Sequence, residues 1–555
     1  MLKVMESNLP TPGGIGEPSP NQPVLPSAPA PTVPVGTKPP VPAPFASPIA
    51  PHPVASGLEP SLPPKKVEPQ FPERGEVPPS PPPTPPSPPV SFGRGARLPA
   101  GGLAKLKAIL KLFFTLFVFI LIIVAGSSLL KLDLYQIPFL KTLIPQPRKE
   151  VTLTYWGLWE NSDLMNPLFS EFITAYTKEH PNISLTINYE KRTFGTLEQH
   201  KETLLTRLRQ GTAPDILRLH NSWVKEFASE LAPVPTGVMS GSDYTTAFYP
   251  VALSSAKVGE GIYAIPLEYD GIVLFYNKTL LKGVNVNSAL STWEGFRRQA
   301  VKLTQWEEND PEKKILRAGA AFGAANNISH AADLLSLLFV QSGADPLTGL
   351  KAQAAADALT FYTNFVKVDH IWDETLPFSI NAFANGQVAM IFGPSWRALD
   401  IKNLNPQLEF AAVPVPQLPS APQAGVHWAT FWMEAVSKDS QNPEIAWRLL
   451  KFLSEEEQQR KLYSAISQVR SFGEPYSRPS LAESLKTHTI LGALLTGAPT
   501  AVSGKTTDLS GNKAYVDALK QAIADVLGGK DAIKTLETTQ ATINQLEGVA
   551  PPPEE

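Results

Sequence analysis

The residues of this chain best suited to chemistry are tryptophans rather than nucleophiles. Trp156 and Trp159 follow the alternating run Val151, Leu153 and Tyr155, and precede a helical pattern with Leu168, Phe169, Phe172 and Ile173 on one face. That order predicts two indoles at the carboxyl end of a strand in an α/β sheet, where ligand crevices open. A flat indole there matches the apolar face of a sugar ring. Core packing is the competing reading for each.

Covalent and metal chemistry find little support. No H-E-x-x-H, G-x-S-x-G or G-x-x-x-x-G-K-[ST] pattern occurs, and the eight histidines show no ligand spacing. The absence of cysteine excludes disulfides, thiolate metal sites and cysteine nucleophiles. A glycoside hydrolase needs two carboxylates roughly 5–10 Å apart across a cleft, and Glu268 and Asp270 qualify only by default. A formal charge of −3, with no basic stripe in the globular part, argues against a nucleic-acid partner.

The elements that must position these residues begin at about residue 150. Before it, residues 1–103 hold roughly thirty of the 57 prolines, in runs such as Pro81-Pro82-Pro83-Thr84-Pro85-Pro86, and few large apolar side chains. Such a tail cannot offset chain entropy by burial, and disorder with polyproline II character is expected. Residues 104–130 read as a basic flank and a membrane span. Leu112 to Leu130 is a run of 19 uncharged residues, about 28 Å as a helix at ~1.5 Å per residue and long enough to enter the lipid bilayer as a crossing helix. Lys105, Lys107 and Lys111 on its amino side favour a cytoplasmic tail. The rival reading is a cleaved signal peptide ending near Ala125-Gly126-Ser127-Ser128. Residues 131–150 form a juxtamembrane linker, and 549–555 a disordered end.

The intervening 151–548 region exceeds what one core usually supports, so two lobes are expected. Strand patterns at Ile183, Leu185, Ile187 and at Ile216, Leu217 alternate with a helix marked by Leu197, Leu204 and Leu208 and ended by Gly211. This β-α-β-α-β order predicts an α/β fold with a largely parallel sheet. Later helices are read at Val516, Leu519, Ile523, Val526 and at Ile533, Leu536, Ile543, Leu546.

Five segments in order carry a resemblance. Gln210-Gly211-Thr212-Ala213-Pro214-Asp215-Ile216 has the form G-x-x-P-D-hydrophobic. Tyr263-Ala264-Ile265-Pro266 precedes Phe275-Tyr276-Asn277-Lys278. Then come Thr292-Trp293-Glu294-Gly295-Phe296, the pair Phe383-Ala384-Asn385-Gly386 and Gly393-Pro394-Ser395-Trp396, and Asn442-Pro443-Glu444-Ile445-Ala446-Trp447. Together they resemble the extracellular solute-binding proteins of the maltose-binding type, the carbohydrate receptors of ABC importers. The resemblance implies a two-lobed periplasmic-binding-protein fold with discontinuous lobes and ligand held in the cleft between them. The first lobe would comprise about 151–267 plus a later return, and the second about 270–412 plus the C-terminal helices.

The resemblance also nominates residues. Trp396 corresponds to a tryptophan that stacks on sugar, with inter-lobe packing as the alternative. Asp270, or the adjacent Glu268, matches a carboxylate that reaches sugar hydroxyls from the hinge. The lip Arg218, His220, Asn221 and Trp223 departs from the family pattern, so the particular sugar is not inherited. Of Trp428 and Trp432, four apart in an aromatic cluster, one is expected in the core. Asn326, Asn327, Ser329 and His330 either bind hydroxyls or cap the helix that comes next. The function implied is a membrane-anchored receptor that closes on a saccharide and delivers it to ABC permease subunits, with no cofactor. The alternative is a surface sensor or adhesin whose Pro-x-x-Pro runs dock a cytoplasmic partner.

Overall fold

The computed structural model describes residues 107, 110–115, 117–119, 148–158, 162–311, 313–418 and 425–549. The expected tail 1–103, most of the linker 131–150, residues 104–106, 108–109, 116 and 120–130 of the expected flank and span, Trp159 and residues 550–555 lie outside them. Among the described residues no helix is long and apolar enough to cross a membrane. From Leu110 onward the described residues fall in one compact unit.

Two sheets organise that unit. The chain enters through β1 (Lys149–Gly157), then α1 (Asn166–Glu179), β2 (Ile183–Lys191), α2 (Leu197–Arg209) and β3 (Ile216–His220). Both β2 and β3 pair with β1 in parallel, as the βαβ order requires. Alternation decides the faces. Val151, Leu153 and Tyr155 are buried on one side of β1, and Trp156 projects from the other. Thr196 caps α2 by accepting the Gln199 N–H at 3.2 Å, and Gly211, at φ +66°, turns the chain out of the helix.

The second sheet is antiparallel. β4 (Ile272–Asn277) lies between β5 (Met390–Pro394) and β6 (Phe410–Val413), and its Ile272 to Phe275 stretch is buried. The long insertion between β4 and β5 carries α3 (Trp293–Leu303), α4 (Ala331–Gln341) and α5 (Gln353–Lys367). Thr292 caps α3 through the Gly295 N–H at 3.1 Å, as its sequence position suggests. After β5 comes α6 (Arg397–Leu404). The chain then returns to the first sheet as β7 (Trp432–Val436), which pairs antiparallel with β3. The first sheet therefore has the order β7-β3-β1-β2.

Helices α7 (Pro443–Leu453) and α8 (Glu456–Ile466) cover the first sheet's side, with α7 packed on β7 and α1. Proline fits the first turn of α7, whose N–H groups need no intrahelical partner. Asn442 occupies the cap position without a side-chain capping bond, and instead its N–H is held by Ser440 Oγ at 3.2 Å. Finally α9 (Lys513–Leu527) and α10 (Ala532–Leu546) pack on α5 in the second sheet's half.

Three chain segments run between the sheets, side by side. The first contains the Ile265–Glu434 and Gly271–Ala429 bridges, the second pairs His427 and Trp428 with Ala501 and Val502 of the third. Both halves are thus discontinuous in sequence.

Asp215 shows how the first sheet is fastened. Its Oδ2 accepts from the Thr154 N–H at 2.8 Å and the Thr154 hydroxyl at 2.9 Å, and its Oδ1 accepts from Ser440 Oγ at 2.6 Å. One carboxylate therefore ties β1, the start of β3 and the turn after β7. Asp215→Ala should lose about 2 kcal/mol of stability, the scale of charge-assisted hydrogen bonds, and leave ligand affinity unchanged. Denaturant unfolding and calorimetry on the same variant check both halves.

Candidate functional site

The ends of the two sheets and the crossing segments enclose a cleft of about 410 Å³. Residues at the end of β3, Arg218 and His220, meet Glu268 and Asp270 of the first crossing. Thr430, Phe431 and Trp432 enter from the start of β7, and Pro394 and Trp396 from the end of β5. The loop after α8 adds Arg470 and Glu474, and His330 and Asp508 complete the far wall.

Two indoles stand on opposite parents. Trp396 occupies the N-cap position of α6 and is 36% exposed, unusual for so large an apolar side chain in a concave site. The Arg397 guanidinium lies 4.1 Å from its ring centre, and His330 meets it edge-on at 6.4 Å. Trp432 belongs to the first sheet and is held edge-on by His220 at 5.6 Å and by Trp223 at 5.5 Å. Phe194 and Phe431 extend the apolar lining.

Asp270 is committed to the protein. Its Oδ1 accepts from the Gly271 N–H at 2.6 Å and the Ser395 N–H at 2.8 Å; its Oδ2 accepts from Ser395 Oγ at 2.9 Å and the Trp396 N–H at 3.3 Å. A carboxylate offers about four acceptor positions, and four protein donors fill them. It therefore positions the Trp396 loop from the first crossing rather than reaching for hydroxyls.

Both cleft histidines are neutral, and their partners fix the tautomers. His220 Nδ1 accepts from the Ser222 N–H at 3.3 Å, so Nε2 carries the proton toward Thr430 Oγ1 at 3.0 Å. His330 Nε2 accepts from Arg397 Nε at 3.2 Å, leaving Nδ1 to donate to Asp333 Oδ2 at 2.8 Å. Burial pulls the two rings down to about 3, helped by Lys201 for His220 and by Arg397 for His330.

Beneath the indoles lies an ion network. Arg218 donates to Glu268 at 2.7 Å and to Glu434 at 2.9 Å, and Arg470 pairs with Glu474 at 3.0 Å. Burial pushes Glu434 up to about 7 against the pull of Arg218, and burial followed by the neighbouring Glu268 pushes Glu474 up to about 8. Among the described residues no group of three or more His, Asp or Glu side chains is placed to hold a metal ion.

Of the residues singled out from sequence, Trp396, Asp270, Glu268 and His220 line this cleft. Trp156 does not. Because β1 continues to Gly157, pleating turns Trp156 toward α2, where Arg192 sits 4.1 Å from its ring and a separate 170 Å³ pocket forms. Trp428 is the core member of its pair, buried with its Nε1–H on Asp333 Oδ1 at 2.7 Å. Asn221 is buried behind the lip, donating to Ser503 Oγ at 2.8 Å and accepting the Phe431 N–H at 3.2 Å. Asn327 neither lines the cleft nor caps α4: it accepts the Trp372 Nε1–H at 2.9 Å and donates to the Asp373 carbonyl at 2.8 Å. Arg470, Glu474, Asp508 and Phe194 are not singled out by the sequence. None lies in a family-like segment, and isolated charges carry no sequence signal of burial.

The fold and this cleft define a class. The family described as bacterial extracellular solute-binding protein matches residues 171–472, and the chain belongs to it. Among solved structures it is similar to a cyclo/maltodextrin-binding protein complexed with maltotetraose (TM-score 0.57, 16% identity, covering 72% of this chain and 98% of that one). It is also similar to a cyclic alpha-maltosyl-1,6-maltose binding protein from Arthrobacter globiformis (TM-score 0.57, 17% identity, 72% and 99%). A third is the maltotriose binding protein of Thermus thermophilus bound with maltotriose (TM-score 0.51, 19% identity, 71% and 100%). At these identities the likeness is one of fold.

The buried groups give stability a sign with pH. Burial raises Asp270, Asp333 and Glu434 to about 7 and Glu474 to about 8. Their contribution is full below the unfolded value of about 4 and is lost as pH rises through 7 to 8. His200, His220 and His330, lowered to about 4, 3 and 3, contribute stability that is lost as pH falls below about 6.5. The two sets oppose each other below about pH 6.5, and the carboxyls act alone above it. Thermal melting should give a lower Tm at pH 8 than near pH 6.5, and a rising Tm over that interval would contradict the assignment.

A second expectation concerns Asp270→Asn, which replaces one acceptor oxygen by a donor and frees the Trp396 loop. Affinity should fall about tenfold, and acrylamide should quench indole fluorescence more strongly. Undiminished affinity would mean that the loop is held by other contacts.

Proposed function

We propose that this chain is the extracytoplasmic carbohydrate-binding receptor of an ABC importer. A saccharide enters the cleft between the two sheets, stacks on Trp396 and Trp432, and is held at its hydroxyls by Glu268 and Thr430, the latter oriented by His220. The single observation that carries this reading is two indoles from opposite halves facing one 410 Å³ cleft with a polar floor. The oligosaccharide ligands of the similar solved structures support it. Approach of the two halves on the ligand would complete the site, and the closed form would be the one that permease subunits read.

Turnover is not expected. Glu268 is held by Arg218 at 2.7 Å and the acceptor positions of Asp270 are filled, which leaves this pair no free acid and base. The globular region 151–548 is anchored, in this reading, by the span 112–130 with the tail 1–103 in the cytoplasm. That long Pro-x-x-Pro tail favours a second reading, a sensor that keeps the fold without a permease.

Trp396→Ala tests the central claim. With a neutral oligosaccharide panel that includes maltotriose, calorimetry should show a loss of about 2 kcal/mol, roughly thirtyfold. Its melting temperature should change little, because the ring is 36% exposed. Unchanged affinity with a large drop in Tm would assign Trp396 to packing instead.

A further inference from the structure

The floor of the cleft is one positive charge short. Three carboxylates, Glu268, Glu434 and Glu474, share two guanidinium groups, Arg218 and Arg470. Glu474 lines the same floor as Glu268, and burial followed by that neighbouring carboxylate raises its proton affinity, so the cluster holds a proton in place of the missing cation. Among the described residues no other cation packed on the cluster makes up the deficit: Tyr155 from β1 and His220 from β3 are neutral, and Asp270 from the first crossing is itself an acid. On the opposite wall the ion pairs are already complete, and Asp333 is met by the His330 and Trp428 N–H groups. Asp508 is bridged to Lys520 at 2.9 Å, Arg397 to Asp400 at 2.8 Å, and His330 is neutral.

We propose that the ligand is an amino sugar, whose ammonium group enters the floor beside Glu268 and Glu474 while the ring stacks on the indoles. This rests on the carbohydrate reading above and narrows it. An ammonium supplies three donors and the missing charge, and it displaces the proton that the cluster otherwise holds. A hydroxyl supplies neither. The raised proton affinity of Glu474, to about 8, fits a carboxyl that is waiting for a counter-charge.

The test is calorimetry on the full-length protein near neutral pH, with the glucosamine trimer, its fully N-acetylated counterpart, maltotriose and spermidine as probes. The glucosamine trimer should bind about tenfold or more tighter than the N-acetylated trimer, as expected for one charge-assisted pair. In Glu474→Gln the ratio between these two sugars should shrink to about twofold or less. Should that variant fail to fold, the comparison on the native protein decides alone. N-acetylated or neutral sugar bound as tightly as the amino sugar would overturn the inference and leave the carbohydrate reading standing. Spermidine binding without any sugar binding would keep the charge argument but overturn the carbohydrate reading, and with it the amino sugar. Silence from all four probes would overturn both.

Discussion

The structure around the cleft depends on one buried guanidinium. Arg218 leaves β3 beneath the ligand cavity and bridges Glu434 of β7 and Glu268 of the first crossing. A buried charge persists only when its partners meet it in good geometry, and removing one partner of such a pair costs about 3–5 kcal/mol. The same side chain therefore fixes the edge of the first sheet, the path of the chain toward the second, and the charge of the binding floor. Burial pulls its proton affinity down, but Glu268 and Glu434 more than offset that and hold it permanently charged.

A matching post stands on the other side. Asp333 of α4 accepts from Trp428, from His330 and from the Asp508 N–H at 3.1 Å, so that one carboxyl joins a helix of the second half to the second and third crossings. Asp270 does the same between the first crossing and the loop that presents Trp396. Polar groups so satisfied specify position more than they add stability. What the apolar cores leave loose, these carboxyls place.

The fold is readable because its signals are local. The β1 alternation, the Gly211 stop, the Thr292 cap and the proline opening α7 each act within a few residues. Trp396 is readable through its Gly393-Pro394-Ser395 setting. Trp156 misleads because the strand runs to Gly157: its ring is fixed on the face opposite Tyr155, over Arg192, and the chain reaches the cleft only past the strand end, at Leu158. Asn327 misleads because an amide can brace a loop as readily as bind a hydroxyl, and its partners Trp372 and Asp373 are some 45 residues distant in sequence. Arg470, Glu474 and Asp508 are silent because their meaning arises only when the loop after α8 and the third crossing fold back to line the cleft.

Gly271 gives the crossings a property that sequence would misname. A glycine between two halves invites the reading of a swivel, yet here a Cβ would lie 2.6 Å from the Trp428 carbonyl oxygen and 3.2 Å from the Ala429 Cα. The residue is small so that two strands can press together, not so that they can part. The joint is accordingly a seam: any rotation between the halves must travel as twist along the pressed strands, and the axis of motion is set by backbone contact before any ligand arrives.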